Sequence, residues 1–535
     1  MPTHEVFNTP PPLVGVNAFT SDASLVAAGT ALSDVERKPL TALGELAGSE
    51  QAQDWGRLAN ANPPLLRTHD RYGHRIDEVE FHPAWHELMG VAVGNGLHGT
   101  PWQDAGPNNH LLRALKFYVW GQVESGHGCP ISMTYAIVPA LRHAPELAAQ
   151  FEPLLESTTY DFGLRPPLGK AGLLAGMAMT EKQGGSDVRA NTTRALPHDD
   201  HYLLTGHKWF CSAPMCDLFL VLAQAPGGLS CFLVPRMLPD GARNPFLIQR
   251  LKDKLGNRSN ASSEIEFDAT HGWLVGDEGA GVRTIIDMVT MTRLDCVIGS
   301  SSLQRAAFVQ ALHHARHRSA FGRPLVEQPL MREVLADLAV ESEASTALFV
   351  RLAQGIDAGE SAFVRLAVAA AKFWVCKRTP AFVAEALECL GGNGYVEDSG
   401  LPRLFRESPL NGIWEGSGNV IALDVLRAAQ RDPQSVAAVL AELDSVAGAD
   451  ERLDSAVAVL RRRLSDLGGN RVVDERGARG LAGLIARCIS ARLLVSNAPE
   501  SMANRYVESL PGSPALSVYG EVLRSNAATV LDRTI

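Results

Sequence analysis

Residues able to hold a ligand gather in five short stretches. In the first, Ala178-Met179-Thr180-Glu181-Lys182-Gln183-Gly184-Gly185-Ser186-Asp187, adjacent glycines let a backbone approach a bound molecule closely, and Thr180 and Ser186 supply hydroxyls towards its ends. The second, Gly206-His207-Lys208-Trp209-Phe210-Cys211-Ser212, sets an aromatic pair before a hydroxyl at the end of a strand. The third is Arg318-Ser319-Ala320-Phe321-Gly322, and the fourth Glu388-Cys389-Leu390-Gly391-Gly392-Asn393-Gly394-Tyr395. The fifth, Ile413-Trp414-Glu415-Gly416-Ser417-Gly418-Asn419, leads into the apolar Val420, Ile421, Leu423 and Val425. There Ser417 or Asn419 is placed to cap a helix, whose N-terminal N–H groups favour an anion. Singly, the first stretch reads equally well as a polar turn, and Phe210 reads as core rather than as a cofactor contact. Five of them in this order are far more specific than any one.

The elements that carry these stretches follow from periodicity. Residues 33–148 place apolar side chains at helical spacing, as in Leu111, Leu112, Leu115, Val119 and Val123. Between residues 172 and 273, short runs such as Tyr202-Leu203-Leu204 and Leu218-Phe219-Leu220-Val221 alternate with Gly, Pro, Asp and Asn, the pattern of a β domain. Helical spacing resumes at Gly281 and continues past Arg427, where Leu453, Val457, Leu460, Leu464 and Leu467 share a face. Gly468 and Gly469 break that pattern before Leu481, Leu484, Ile485, Cys488 and Ile489 resume it. The expected fold is α+β and multidomain: an N-terminal helical domain (1–175), a middle β-barrel or sandwich (176–278), a helical domain (279–430) and a helical extension (431–535).

With 535 residues, 46% apolar and 20% charged, the chain can bury a large core. Its formal charge of -10 speaks against a surface coated in positive charge. The eight cysteines are scattered without a CxxC pair, which suggests neither a zinc ribbon nor a disulfide framework and fits a reduced cytoplasmic setting. No run reaches the ~18 apolar residues that span a bilayer. His313 and His317 are one helical turn apart without an evident third ligand, so no metal site is expected. The Rossmann glycine pattern after a first strand is missing, which argues against that route to a dinucleotide.

Together the five stretches resemble the acyl-CoA dehydrogenase flavoprotein family, whose two signature segments match residues 178–190 and 388–407. The resemblance covers about residues 80–430. It implies FAD, with Met177, Met179, Thr180, Gly185, Ser186, Phe210, Cys211 and Ser212 lining the isoalloxazine. Ile413, Trp414, Gly416, Ser417, Gly418, Asn419 and Leu423 would run beside the flavin, while Arg318, Gly391 and Gly392 would meet its diphosphate and adenosine, largely across a subunit interface. The family's reaction removes an α-proton from an acyl thioester while the β-hydride passes to the flavin, so the base must be ionised and shielded from water. Glu415 occupies the position of that base. A minority of the family carries the base on an earlier helix just before an arginine; here that slot reads Met291-Thr292-Arg293, and Thr292 cannot serve. Glu415 and Arg293 are the candidate catalytic residues.

Further stretches, among them Arg57-Leu58-Ala59-Asn60-Ala61-Asn62-Pro63-Pro64 and Lys252-Asp253-Lys254-Leu255-Gly256-Asn257-Arg258-Ser259-Asn260-Ala261, are similar to the alkylation-response branch of the family. That similarity spans essentially the whole chain. It implies an FAD-containing homotetramer that binds double-stranded DNA and takes part in the response to DNA alkylation, with room for weak acyl-CoA dehydrogenase activity; no base-reading motif is visible, so little sequence preference is expected. The charge distribution bears on this: residues 430–535 hold 13 Arg, no Lys and 13 acids, so the whole excess of acid lies before the extension. Arg427, Arg431, Arg461, Arg462, Arg463 and Arg487 are the candidate phosphate contacts, with Arg471, Arg476, Arg479 and Arg492 nearby, since a guanidinium stays charged and donates in a planar fork. The competing reading is a solvated amphipathic extension whose arginines pair with Asp454, Asp466, Asp474 and Glu475. The competing function is a metabolic short- or branched-chain acyl-CoA dehydrogenase, for instance for isovaleryl-CoA, with Glu415 as base.

Overall fold

The strand signals of residues 172–275 form one sheet in a computed structural model of the chain, which describes residues 3–103, 106–467, 475–510 and 527–532. The chain divides into two compact units: Gln51–Asn109 with Val123–Asp295, and Met1–Glu50 with His110–Gln122 and Cys296–Ile535. The helix Gly281–His317 contributes to both.

The first unit carries the strands. A small antiparallel hairpin joins β1 (Leu65–His69) to β2 (Arg75–Glu80). The main sheet contains β3 (Ala175–Ala178), β4 (Arg194–His198), β5 (His201–Ser212), β6 (Leu218–Ala225), β7 (Gly228–Pro235), β8 (Phe246–Leu251) and β9 (Ser262–Val275). β6 pairs with β7, β7 with β9, β9 with β5, β5 with β4, and β4 back to β6 through one parallel rung, so five strands close on themselves. Closure removes free edges; β3 and β8 are attached to β6 and β9. β6 and β7 are almost wholly buried, as apolar runs without polar alternation require. At Gly206, φ is 151° and a Cβ would come within 2.6–2.8 Å of Thr193, so the crossing of β5 past this residue admits only glycine. The helix Gly128–Leu141 of this unit is apolar on every side and buried at all but Ser132 and Pro139. Its Thr134 hydroxyl accepts the N–H of Ala175 at 2.9 Å, which ties the start of β3 to the helix.

The second unit is helical. Pro329–Asp357 and Ser361–Glu388 pack side by side, and Gly418–Arg431 lies against the latter. The described extension supplies Pro433–Asp444, Glu451–Ser465, Ala478–Asn497 and Glu500–Val507. It is no loose tail: Ala478–Asn497 packs on Ser361–Glu388, Gly418–Arg431 and Pro329–Asp357. Its stripes bury Leu453, Val457, Leu460 and Leu464, then Leu481, Leu484, Ile485, Cys488 and Ile489. Arg505 is fully buried there, its Nε 2.9 Å from Asp337 and its Nη2 2.8 Å from Glu333. Gly468, Gly469, Arg471 and Asp474 lie outside the described residues.

Candidate functional site

In the strand-bearing unit, the segment after β3 is fixed from beneath by a buried ion pair. Glu181 and Lys208 are both inaccessible, with Lys208 Nζ 2.9 Å from the carboxylate. Glu181 also accepts from Thr192 N (2.7 Å), Thr192 Oγ1 (2.9 Å), Thr193 N (3.1 Å) and Gln183 Nε2 (2.6 Å), and Lys208 donates to Leu222 O at 2.7 Å. Burial by itself would raise the Glu181 pKa, yet the Lys208 charge and these donors hold it well below the usual carboxylate range. A saturated network of this kind locks geometry. Trp209 N donates to Thr180 O at 2.8 Å, joining β5 to the same segment.

Above this floor the candidate flavin contacts have distinct surroundings. Gly185 and Ser186 are exposed, Met177, Met179, Thr180 and Ser212 half-buried, and a Cβ on Gly184 would meet nothing within 4 Å. Phe210 is 53% exposed, so it is not a core residue in this unit. Lys252 Nζ stands 3.6 Å from the Trp209 ring centroid and 4.5 Å from that of Phe210. Cys211 is fully buried; burial pushes its thiol up to about 12, so it is a neutral thiol rather than a nucleophile. Arg293 is buried on the helix Gly281–His317, and the neighbouring Thr292 hydroxyl donates to the helix carbonyls of Met288 and Val289.

In the helical unit, Glu415 has φ 57° and Gly416 φ 101°, two consecutive left-handed residues between the turn Leu410–Gly412 and the helix Gly418–Arg431. Left-handed backbone costs a non-glycine residue about 1 kcal/mol or more and persists only where its surroundings over-determine it. Trp414 N donates to Leu410 O at 3.0 Å, and Lys372 Nζ donates to Gly416 O at 2.5 Å. Ser417 has the backbone of an N-cap, but its side chain makes no capping bond; Asn419 instead accepts from Arg479 Nη1 at 3.0 Å. Gly418 is buried with Lys377 so near that a Cβ would approach its Cε to 2.6 Å. Ile413 is exposed and Trp414 and Leu423 are half-buried. Arg318 Nη1 donates to Asn8 O at 2.6 Å beside the tip residue Phe321, which is 98% exposed. Gly391 and Gly392 face open space next to Tyr395, 84% exposed. Open backbone at these glycines, exposed rings and short hydroxyls are what a flat cofactor with a diphosphate tail requires, so the residues present fit FAD.

The arginines divide into two groups. Arg461 pairs with Asp444, Arg492 with Glu442, Arg452 with Asp450 and Glu508, and Arg487 donates to Ser509 O while standing 5.3 Å from the Trp374 ring centroid. Those partners differ from the acids that sequence proximity suggests; the Asp454 carboxylate accepts from Gly448 N. Arg427, Arg431, Arg462 and Arg463 are exposed and form no ion pair among the described residues. Among the described residues no group of three or more His, Cys, Asp or Glu is arranged to hold a metal ion, and no helix is long and apolar enough to cross a membrane.

The chain belongs to the acyl-CoA dehydrogenase family, whose cofactor is FAD. The family's middle domain matches residues 176–270 and its C-terminal domain residues 279–430, while residues 8–162 match the adaptive response protein AidB N-terminal domain. Among curated relatives, the putative acyl-CoA dehydrogenase AidB of Escherichia coli is 50% identical over 86% of this chain and 87% of its own. Acyl-CoA dehydrogenase family member 11 of Caenorhabditis elegans is 30% identical over 85% of this chain and 79% of its own. The crystal structure of C. elegans ACDH-11 in complex with C11-CoA superposes with a TM-score of 0.86 at 27% identity, covering 99% and 97% of the two chains.

Residue types and spacing mark the stretches but not the groups that hold two of them, the Glu181–Lys208 pair and Lys372, nor Arg505, which ties the extension to Asp337 and Glu333. A signal existed for Lys372, a lone cation within the apolar run Ala369-Ala370-Ala371-Lys372-Phe373-Trp374-Val375.

Proposed function

We propose that this flavoprotein acts in the adaptive response to DNA alkylation, binding duplex DNA through arginines of its C-terminal helices while retaining weak acyl-CoA dehydrogenase chemistry. The carrying observation is the set Arg427, Arg431, Arg462 and Arg463, exposed guanidinium groups without a carboxylate partner among the described residues. Water satisfies an exposed guanidinium, and these four can exchange that water for phosphate oxygens without first giving up a carboxylate. Arg461 and Arg487 join them only by giving up the partners described above. The match to an adaptive-response N-terminal domain supports the same reading. Contacts of this kind read backbone rather than base edges, so sequence preference is weak. The exposed Phe321 and Tyr395 suit coverage by a further copy of the chain, in keeping with a homotetramer.

The dehydrogenase chemistry is assigned to residues as follows. On the strand-bearing unit, Met177, Met179, Thr180, Gly185, Ser186, Phe210 and Ser212 are the FAD contacts, while Cys211, which has no accessible surface, backs them from within the sheet; on the helical unit they are Ile413, Trp414, Gly416, Ser417, Gly418, Asn419, Leu423, Arg318, Gly391 and Gly392. FAD supplies the two-electron acceptor for the β-hydride. Glu415 accepts the α-proton at its carboxylate, and the adjoining Trp414 helps keep water from it. Arg293 enters the candidate set from its family slot alone. The relative solved with C11-CoA favours a second reading, a metabolic acyl-CoA dehydrogenase, though an eleven-carbon acyl group lends nothing to the short- or branched-chain substrate expected from the sequence.

Anisotropy titration of a labelled duplex decides between them. Wild type is expected to bind at low salt, with affinity falling steeply as salt rises, and an R427A/R431A/R462A/R463A variant that keeps FAD is expected to bind weakly with a flatter salt slope. Absence of wild-type binding at low ionic strength, together with rapid turnover of one acyl-CoA in a substrate panel, would establish the metabolic reading instead.

A further inference from the structure

The helix Ser361–Glu388 buries a cation that its own packing does not require. Lys372 is 1% exposed and forms no ion pair with a carboxylate among the described residues. An ammonium withdrawn from water without a countercharge carries a desolvation penalty, and a Leu or Met would fill the same helix position without one. What Lys372 does is donate from Nζ to the Gly416 carbonyl at 2.5 Å. That carbonyl belongs to the second of the two consecutive left-handed residues, Glu415 and Gly416. Gly416 is packed as well as twisted, since a Cβ there would stand 3.1–3.4 Å from Ile421 and Val420. The peptide between a strained base and the helix that follows it is therefore held by a charge-assisted bond from a neighbouring helix, roughly twice as strong as a neutral one.

We infer that Lys372 is a positioning residue for the base: by fixing the Gly416 carbonyl it holds Glu415 in its left-handed conformation and so sets where the carboxylate stands. The inference rests on Glu415 being the base. Displacing a reacting group by about 1 Å costs on the order of a hundredfold in rate, so a lost clamp is visible in the chemical step.

The test uses FAD-loaded full-length protein carrying K372M, K372Q, E415Q or the K372M/E415Q pair. Amide exchange over residues 413–419 reads the clamp, and anaerobic flavin bleaching by isovaleryl-CoA reads the chemistry. K372M is expected to speed local exchange and slow bleaching, each by about tenfold or more, with FAD content and acyl-CoA affinity unchanged. K372Q, which keeps a neutral donor one bond shorter, restores part of both, and K372M adds no further loss of bleaching in the E415Q background. Unchanged exchange in K372M overturns the inference. So does a loss of FAD and of protection throughout the protein that K372Q does not rescue, because that is the behaviour of a residue needed only for folding. If no acyl-CoA bleaches the wild type, the dehydrogenase reading falls, and the exchange arm still decides whether Lys372 holds the Glu415–Gly416 pair.

Discussion

Glu415 is the residue on which the proposed chemistry and backbone strain coincide, and its substitution separates the two. Glu415→Gln preserves shape and hydrogen-bonding reach but cannot accept a proton, so bleaching by an acyl-CoA should fall about 10²- to 10⁴-fold while FAD stays bound, as stopped-flow absorbance and cofactor content would show. Lys208 tests the opposite kind of residue, one that never meets a substrate. Lys208→Met leaves Glu181 buried beside its backbone donors without a countercharge and should cost about 3–5 kcal/mol in a denaturant titration. Adding Glu181→Gln should recover a large part of that loss, and no recovery would mean that packing rather than charge is at stake. Both residues stood within stretches singled out from residue types alone. The partnership of residues 181 and 208 was not legible there, since a separation of 27 positions carries no local signal.

At the scale of elements, the helix Asn109–Gly121 couples stability to pH. Its first turn is capped by Asp357, whose carboxylate accepts from the N–H groups of His110 and Leu111 at 2.9 Å each. Burial, assisted by the Arg113 charge, lowers the His110 pKa from its ordinary 6.5 to about 4. The folded protein therefore keeps His110 neutral where the unfolded chain binds a proton. Stability from this group is complete above about pH 6.5 and falls as pH drops towards 4, by up to about 3 kcal/mol. Thermal melting at pH 7, 5.5 and 4.5 should show that decline, and His110→Gln should flatten it. The helical character of this segment was legible in the spacing of Leu111, Leu112, Leu115 and Val119. The capping was not, because Asp357 arrives from a helix some 250 residues later.

For the whole molecule, the extension raises a question of dissection. Deleting everything past residue 428 is the direct way to ask what it does, but Ala478–Asn497 and Arg505 are built into the helical unit, and their removal would strip Asp337 and Glu333 of their cation. A truncated chain is expected to lose cooperative unfolding of this unit, which scanning calorimetry would reveal. Substituting Arg427, Arg431, Arg462 and Arg463 tests DNA binding without that damage. Each phosphate left unneutralised by a substitution should lower the magnitude of the log–log salt slope by about 0.9, a measurement only an intact fold can give. The formal charge of -10 does not forecast such binding in either direction, because affinity depends on which guanidinium groups are left unpaired on the surface.

The sequence by itself determined the order of helical, β and helical segments, the family and its FAD, and the stretch that carries Glu415, since periodicity and short motifs are local properties of the chain. The tertiary structure alone decided that Glu181 is neutralised by Lys208, that Lys372 grips the carbonyl of Gly416, that Arg461 and Arg487 are already engaged, and that the extension belongs to the helical unit. Each of these is a pairing between groups distant along the chain. A buried charge is stabilised by whichever partner folding brings to it, and no spacing in the sequence records that choice.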